Sequence, residues 1–550
     1  MADEKLSPGM TYFAETDFRG RRTKFGIKDL DRARHLYVIG KTGMGKSTLL
    51  ENMAIQDIQN GHGIAFIDPH GGTADKLLEY VPPERIKDVI YFAPFDLEHP
   101  ISFNVMEDIG KEQRHLVVNG LMSAFRKIWG EESWSDRMAY ILTNILLALL
   151  EYPGSTLLAV NRMISDKEFR QKVVANVTDP SVKAYWTDEF AKYTERFAAE
   201  AVPAIQNKIG QFTSNPLIRN IIGQPKSSFD FRQVMDEKKI LIINLSKGLV
   251  GEGNANLIGS MLITKIYLAA MSRANLSGPE LRTLPPFYLF VDEFQSFANE
   301  SFANILSEAR KYKLSLTIAH QYIEQMAEEV RAAVFGNVGT IIAFRVGPFD
   351  AEILEKIFSP TFMQEDLVNL GFAQTYLTLM IDGVGSPPFS AVTLPPIPLL
   401  QDSSKAQIIA NSRATYTRPR LAVEAEIVEW HKSQPTKRVE VETTKKEVPP
   451  KRMDTLSPKP TPPKTFTHSD QASVSLEVLK NHPPSDKRIL SVAEKEKTKE
   501  SLRQSLKILM EKKPAPIPPK PLSSTPPPAT SPPTVENKEV PREVLEKMLH

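Results

Sequence analysis

The sequence predicts an α/β fold with a mainly parallel sheet, interrupted by an inserted all-α domain and followed by a long proline-rich tail. Three observations predict it. A glycine-rich turn stands between a strand-like and a helix-like stretch near residue 40. Short apolar, β-prone runs alternate with helical spacing before residue 107 and again after residue 235. Between those limits only helical periodicity is found, and from residue 435 onward neither pattern persists.

The glycine-rich turn is Gly40-Lys41-Thr42-Gly43-Met44-Gly45-Lys46-Ser47, which fits G-x-x-x-x-G-K-[ST]. His35 to Ile39 before it is short and apolar. From Lys46 to Asn60, apolar residues recur at Leu50, Ala54 and Ile58 with Leu49 and Met53 beside them, and the pattern stops before Gly61. Glycines are needed where backbone N–H groups wrap a polyphosphate, because a Cβ there blocks the approach. The expected nucleotide-binding residues are therefore Gly40, Lys41, Thr42, Gly43, Met44, Gly45, Lys46, Ser47 and Thr48. Lys46 would reach the β- and γ-phosphates, the Ser47 hydroxyl would hold Mg²⁺, and the helix N-terminus adds partial positive charge.

Composition sets outer limits. A chain of 550 residues, 41% hydrophobic, has room for two or three domains of about 150 residues each. Cysteine is absent, so no disulfide framework exists, which suits a reducing cytosol. Met1 to Gly20 is charged and lacks the apolar core of a signal peptide. The longest apolar run, Ile141 to Leu150, is too short to span a bilayer. The chain is expected to be soluble and cytoplasmic, without a transmembrane segment. Its net charge of +2 is unevenly spread: residues 435–550 hold 22 Lys+Arg against 15 Asp+Glu, or +7, leaving −5 for residues 1–434. Any DNA contact in the folded part must then be local. The same tail holds 20 of the 42 prolines, no glycine and one aromatic residue, Phe466. It cannot bury enough apolar surface to offset its ordering entropy and is expected to be disordered. Ser501 to Met510 and Pro541 to Leu549 are amphipathic exceptions, either partner-docking helices or accidents of composition.

In chain order, Met1 to Arg34 reads as a polar lead-in, and residues 35–106 open the α/β domain. The strand Gly63 to Asp68 ends in Pro69-His70-Gly71-Gly72. Ligand groups gather at the carboxyl ends of strands in open α/β sheets, so Asp68 and His70 belong to the nucleotide side, although turn formation accounts for them equally well. A third run, Val89 to Phe92, precedes the inserted domain, 107–235. Its helices are expected at Gln113 to Trp129, Asp136 to Glu151 with Ser135 as cap, Ser165 to Val177 and Glu195 to Thr213. Such an insertion supplies specificity rather than chemistry.

The α/β domain resumes over 236–400 with the strand Lys239 to Leu245. The glycine-rich loop Ser246 to Asn256 offers Lys247 to DNA or is a plain surface loop. Phe287 to Val291 is an apolar strand ending in Asp292-Glu293. Asp292 is placed to orient Mg²⁺ and its water shell, and Glu293 to orient or deprotonate the attacking water, which implies hydrolysis. A helix Phe302 to Tyr312 leads to the strand Leu314 to Ala319, which delivers His320-Gln321 to the same edge. Gln321 both donates and accepts, so it can sense the γ-phosphate and the water together. Gly339 to Val346 carries Arg345, a site residue or an ordinary strand-end arginine. Thr375 to Ile381 continues the sheet, and residues 401–434 form a helical extension.

Taken together, Gly40 to Ser47, Ile67-Asp68-Pro69-His70-Gly71, Val291-Asp292-Glu293, Ser307-Glu308-Ala309-Arg310-Lys311 and His320-Gln321 resemble the FtsK/HerA superfamily of DNA-pumping ATPases. Within it, residues 20–400 look most like type IV secretion coupling proteins of the TraD/TraG type, which carry an all-α domain at the place of the insertion. The resemblance implies a RecA-like motor, a hexameric ring around DNA, and Mg²⁺-dependent ATP hydrolysis driving translocation. It also implies that Arg310 acts in trans on a neighbouring site, where the plain alternative is an exposed helix-end arginine favoured, with Lys311, by the helix dipole, and that secretion or relaxosome-type proteins meet the all-α domain and the tail. Coupling proteins usually begin with transmembrane helices, which this sequence does not show, so contact with the inner membrane would run through partners. An alternative is an ATP-gated recruitment platform for protein cargo, whose turnover DNA would not raise. A small-molecule phosphotransferase is disfavoured by Glu293.

Overall fold

The computed structural model describes residues 9–18, 21–107, 110–193, 195–299, 301–399 and 403–432. All of them belong to one compact unit; a second, 437–534, lies outside the described residues, as do the tail and its two expected helices.

The strands are β1 (Met10–Phe18), β2 (Arg21–Lys28), β3 (Leu36–Ile39), β4 (Gly63–Asp68), β5 (Val89–Phe92), β6 (Ile240–Asn244), β7 (Phe287–Val291), β8 (Leu314–His320), β9 (Thr340–Ala343), β10 (Gln374–Thr378), β11 (Met380–Ile381), β12 (Val384–Gly385) and β13 (Phe389–Thr393). Eleven form one sheet in the order β2-β1-β13-β10-β9-β3-β8-β7-β4-β6-β5, and β11 and β12 pair separately. From β9 to β5 the neighbours are parallel, and β10, β13, β1 and β2 form an antiparallel wing. Parallel strands are covered on both faces, which is why β3, β4, β6, β7 and β8 are buried throughout and all but β8 are mainly apolar runs. This is the mainly parallel α/β architecture that the sequence predicts, and the RecA-like fold that the resemblance implies.

Alternate side chains of β3 serve two cores. Leu36 and Val38 meet the helix Lys46–Gln59 through Leu49, Leu50, Met53, Ala54 and Ile58. Tyr37 and Ile39 face the other core, which runs without a break into the helices between β5 and β6. Those helices are Arg114–Trp129, Asp136–Leu150, Ala159–Ser165, Lys167–Asn176, Pro180–Ala184, Glu195–Thr213, Pro216–Ile222 and Phe231–Asp236, with no strand among the described residues of that stretch. The Ser135 hydroxyl accepts from the Met138 N–H at 3.2 Å and starts the second of them.

Four expectations need correction. Met10 to Lys28, read as a polar lead-in, is a β-hairpin in the main sheet. Phe13, Phe25 and Phe389 pack ring against ring, with the charged residues of β2 on the outside. Just beyond it, buried Arg32 grips Asp57 of the helix Lys46–Gln59 with two hydrogen bonds, 2.7 and 2.8 Å, and lies 3.7 Å over the Tyr288 ring. Ser246 to Asn256, read as a mobile loop, is mostly helical: Lys247–Val250, a break at Gly251, then Glu252–Met271. The longest apolar segment is also this one rather than Ile141 to Leu150. Glu252–Asn275 is long and apolar enough to cross a membrane, yet 67% of its apolar window is buried inside the protein, where it is a core helix. The helix expected to reach Tyr312 ends at Glu308 and tightens to a 3₁₀ turn over Ala309–Tyr312.

Candidate nucleotide-binding and hydrolysis site

Register decides what meets at the sheet's carboxyl edge. Ile39 lies level with His320 and Ala343, and Val291 level with Ile67 and Ile318. The loop after β3, the Asp292-Glu293 pair after β7, Gln321 after β8 and the Asp68–Gly71 turn after β4 therefore emerge side by side.

The loop Gly40–Gly45 is strapped to both neighbours of β3. Gly40 N–H donates to the His320 carbonyl at 3.3 Å and Lys41 N–H to the Arg345 carbonyl at 2.8 Å. Gly40 is required by packing, since a Cβ there would stand 2.6 Å from the Phe344 Cβ. Gly45, at φ 115°, turns the chain into the helix Lys46–Gln59 through a conformation that side chains resist. The Lys46 ammonium is folded back on the loop, donating to the carbonyls of Gly40 at 2.6 Å and Lys41 at 3.1 Å. Burial lowers its pKa, and the charges of Asp292 and Glu293 oppose that shift.

Ser47 Oγ donates to Asp292 Oδ2 at 2.8 Å. Burial raises the Asp292 pKa, eased by the hydrogen bonds from Ser47 and the Glu293 N–H. Among the described residues no group of three or more His, Cys, Asp or Glu could hold a metal ion. A hydroxyl beside a single carboxylate is nonetheless a donor set that fits Mg²⁺, which keeps several waters and takes further oxygens from substrate phosphates.

Glu293 sits at φ 49°, a left-handed backbone that a non-glycine residue adopts only when its surroundings impose it. Its Oε1 accepts from Gln321 Nε2, and the Gln321 carbonyl accepts from Thr42 Oγ1 at 3.0 Å. Gln321 thus ties the phosphate loop to Glu293. His70 Nε2 stands 4.0 Å from Glu293 Oε1. Asp68 is used differently: its oxygens accept from the N–H groups of His70 at 2.8 Å and Ala74 at 2.9 Å, so it closes the turn and starts the next helix. The sequence left both residues open; of the two, the structure brings His70 beside Glu293.

Other expected residues lie apart. Arg310 is exposed on the 3₁₀ turn before β8. Seven strand residues at about 3.3 Å each, roughly 20 Å, separate it from the edge that carries Gln321. Arg345 contributes its carbonyl to the loop. Lys247 N–H donates to the Pro69 carbonyl at 2.8 Å, which joins the short helix Lys247–Val250 to the His70 turn. Gln295, whose amide donates to Glu293 Oε2, carried no sequence signal.

A family model described as the type IV secretion-system coupling protein DNA-binding domain matches residues 26–368. Among solved structures, the chain is similar to the bacterial conjugative coupling protein TrwBdeltaN70 in an unbound monoclinic form. That match has a TM-score of 0.52 and 14% identity, over 71% of this chain and 91% of that one. It is also similar to plasmid coupling protein TrwB in complex with ADP and Mg²⁺, with a TM-score of 0.51 and 15% identity over 73% of this chain and 98% of that one. At such identities the likeness establishes the fold. A search of curated proteins finds no match. With the family match spanning more than half of its length, the chain belongs to the type IV secretion-system coupling protein DNA-binding domain family.

Proposed function

We propose that the chain is an ATP-hydrolysing DNA motor that works as a ring of identical subunits, a hexamer, in a type IV secretion pathway. The observation that carries this reading is the convergence of Lys46, the Ser47–Asp292 pair and the Thr42–Gln321–Glu293 chain at one sheet edge. TrwB, of the same fold, is known in complex with ADP and Mg²⁺, which supports ATP and Mg²⁺ as the ligands here.

In this reading the N–H groups of Thr42 to Thr48 cradle the phosphates, since those of Gly40 and Lys41 are spent on the neighbouring strands, and Lys46 exchanges the loop carbonyls for β- and γ-phosphate oxygens. Mg²⁺, held by Ser47 and through water by Asp292, would neutralise charge on the phosphates. Glu293 orients the attacking water and accepts its proton, and Gln321 reports the state of the phosphate loop to Glu293. Arg310 is too far from its own site to serve it and reaches the site of a neighbour. Lys247 offers a local phosphate contact for DNA, which the negative bulk charge of residues 1–434 does not supply. The inserted residues 107–235, the extension 401–434 and the basic tail 435–550 serve partner recognition. The motor works in the cytoplasm and meets the membrane through its partners.

The test is ATP turnover without DNA, with single strands and with duplex, on the wild type, Lys46→Ala and Glu293→Gln. DNA should raise turnover, Lys46→Ala should lose nucleotide binding, and Glu293→Gln should bind but not hydrolyse. Mixing Arg310→Ala with Glu293→Gln should restore part of the activity, because some interfaces then join an intact Glu293 to an intact Arg310. Unchanged turnover with DNA would favour the recruitment platform, and wild-type turnover in Glu293→Gln would refute the catalytic assignment.

A further inference from the structure

We infer that Phe372 is the platform on which the base of the bound nucleotide stacks; the inference rests on the nucleotide reading above. The site itself fixes the direction of the ligand. Asp292 follows β7 and Gln321 follows β8, both on one side of β3, so the terminal phosphates point to that side. The base must leave on the other side, where β9, β10 and β13 stand.

The loop before β10 meets it there. Ala373 N–H donates to the Met44 carbonyl of the phosphate loop at 3.2 Å, and the Ala373 carbonyl accepts from Thr393 N–H at 2.9 Å. Gln374 Oε1 accepts from Gly371 N–H at 2.7 Å and closes the turn between them. Ala373 holds φ 61°, left-handed backbone in a residue with a Cβ, which persists only where the surroundings enforce it. Between these anchors Phe372 is 74% exposed, while its neighbour Leu370 is buried and the Phe362–Tyr376 stack sits in the core below. A strained, three-point-anchored turn thus holds an exposed phenyl ring one residue before the backbone bond to Met44. A flat π-face fixed at the base end of the site is what a purine needs for stacking. Stacking reads no base edge, so adenine and guanine should gain from it alike.

Exposed Phe349 and Tyr322 also follow strands at this edge, so a second copy of the chain is the competing occupant. Calorimetric binding of ATP, GTP and inorganic tripolyphosphate, each with Mg²⁺, to the full-length wild type, Phe372→Ala and Phe372→Trp separates the two. Phe372→Ala should weaken ATP and GTP about tenfold and leave tripolyphosphate unchanged. Phe372→Trp should keep ATP affinity, with its fluorescence quenched by ATP and not by tripolyphosphate. Unchanged ATP affinity in Phe372→Ala, equal losses for ATP and tripolyphosphate, or weakened self-association at constant ATP affinity would each overturn the proposal. If the wild type binds tripolyphosphate but gains nothing from the base, Phe372 fails and the phosphate site stands; if it binds neither, the nucleotide reading itself falls.

Discussion

Acidification should unfold this protein through two buried histidines at opposite ends of the β3–β8 seam. His35, before β3, accepts from Leu316 N–H at Nδ1 and sits with Nε2 against the Leu306 carbonyl, both at 3.1 Å, which fixes a neutral ring with Nε2 protonated. Burial, with a smaller push from the Arg310 charge, lowers its pKa from 6.5 to about 4. His320, at the end of β8, has Nδ1 3.1 Å from the Tyr37 hydroxyl; burial, then the charges of Lys46 and Lys127, lower its pKa to about 3. Both folded-state values lie below the unfolded one, so the stability is present above pH 6.5 and is lost as pH falls toward 4 and 3. Each pH unit below 6.5 costs about 1.4 kcal/mol per histidine, so at pH 5 the two together remove roughly 4 kcal/mol. That is a large share of the roughly 5–15 kcal/mol by which domains are stable. Urea melts of the full chain from pH 7.5 to 5, followed by circular dichroism, should show a slope approaching two protons taken up on unfolding. His35→Asn should remove one of them. A flat profile between pH 6.5 and 5, or imidazole NMR shifts showing both rings protonated near pH 6 in the folded protein, would refute the reasoning.

Asp292 carries the opposite sign. Its folded pKa is raised by burial, so its ionised form costs stability once pH rises through that value. Asp292→Asn should therefore raise the melting temperature of the nucleotide-free protein at pH 8, with the gain fading as pH falls, while hydrolysis drops by roughly 10² to 10³; a lower melting temperature at pH 8 would sink this. Removing residues 435–550 should leave ATP turnover and melting temperature unchanged and make DNA retention weaker and less salt-dependent, as the loss of a +7 segment requires. A truncated chain that fails to fold would contradict it.

What was legible in the sequence follows from how each element is buried. β3 and β7 are covered on both faces, so they stand out as unbroken apolar runs, whereas β8 is as deeply buried although Ser315 and Thr317 interrupt it; the helix after the phosphate loop ends within one residue of its expected limit. The β1–β2 hairpin belongs to the antiparallel wing, where polar residues interrupt Phe13, Ala14, Phe25 and Ile27. Its sheet partner β13 lies nearly the whole folded length away, and no local pattern announces such a pairing. The Thr42–Gln321 contact is equally invisible, joining residues 279 apart. Glycines misled the reading at Ser246 to Asn256: Gly248 and Gly253 suggest slack chain, but burial of Val250, Ala255, Leu257 and Ile258 outweighs their weak helix propensity.

That last difference changes what a DNA contact at Lys247 would do. A slack loop would absorb a pull on its lysine by moving. The short helix instead shares backbone hydrogen bonds with the turn after β4: Leu245 N–H to the Asp68 carbonyl at 3.0 Å and Lys247 N–H to the Pro69 carbonyl at 2.8 Å. Asn244 tightens the junction, accepting from Ser246 Oγ at 2.7 Å and donating to the Tyr91 hydroxyl at 2.9 Å, while a Cβ at Gly71 would collide with Ser246. Ser246 lies at φ 34°, so the junction is strained as well as packed. The turn it holds presents His70 at 4.0 Å from Glu293. Under the proposed function, force on Lys247 therefore reaches the residue beside the catalytic carboxylate through one backbone hydrogen bond and the Pro69–His70 peptide. A substitution that loosens that junction, and leaves Lys247 and Glu293 untouched, is where DNA stimulation and basal hydrolysis would come apart.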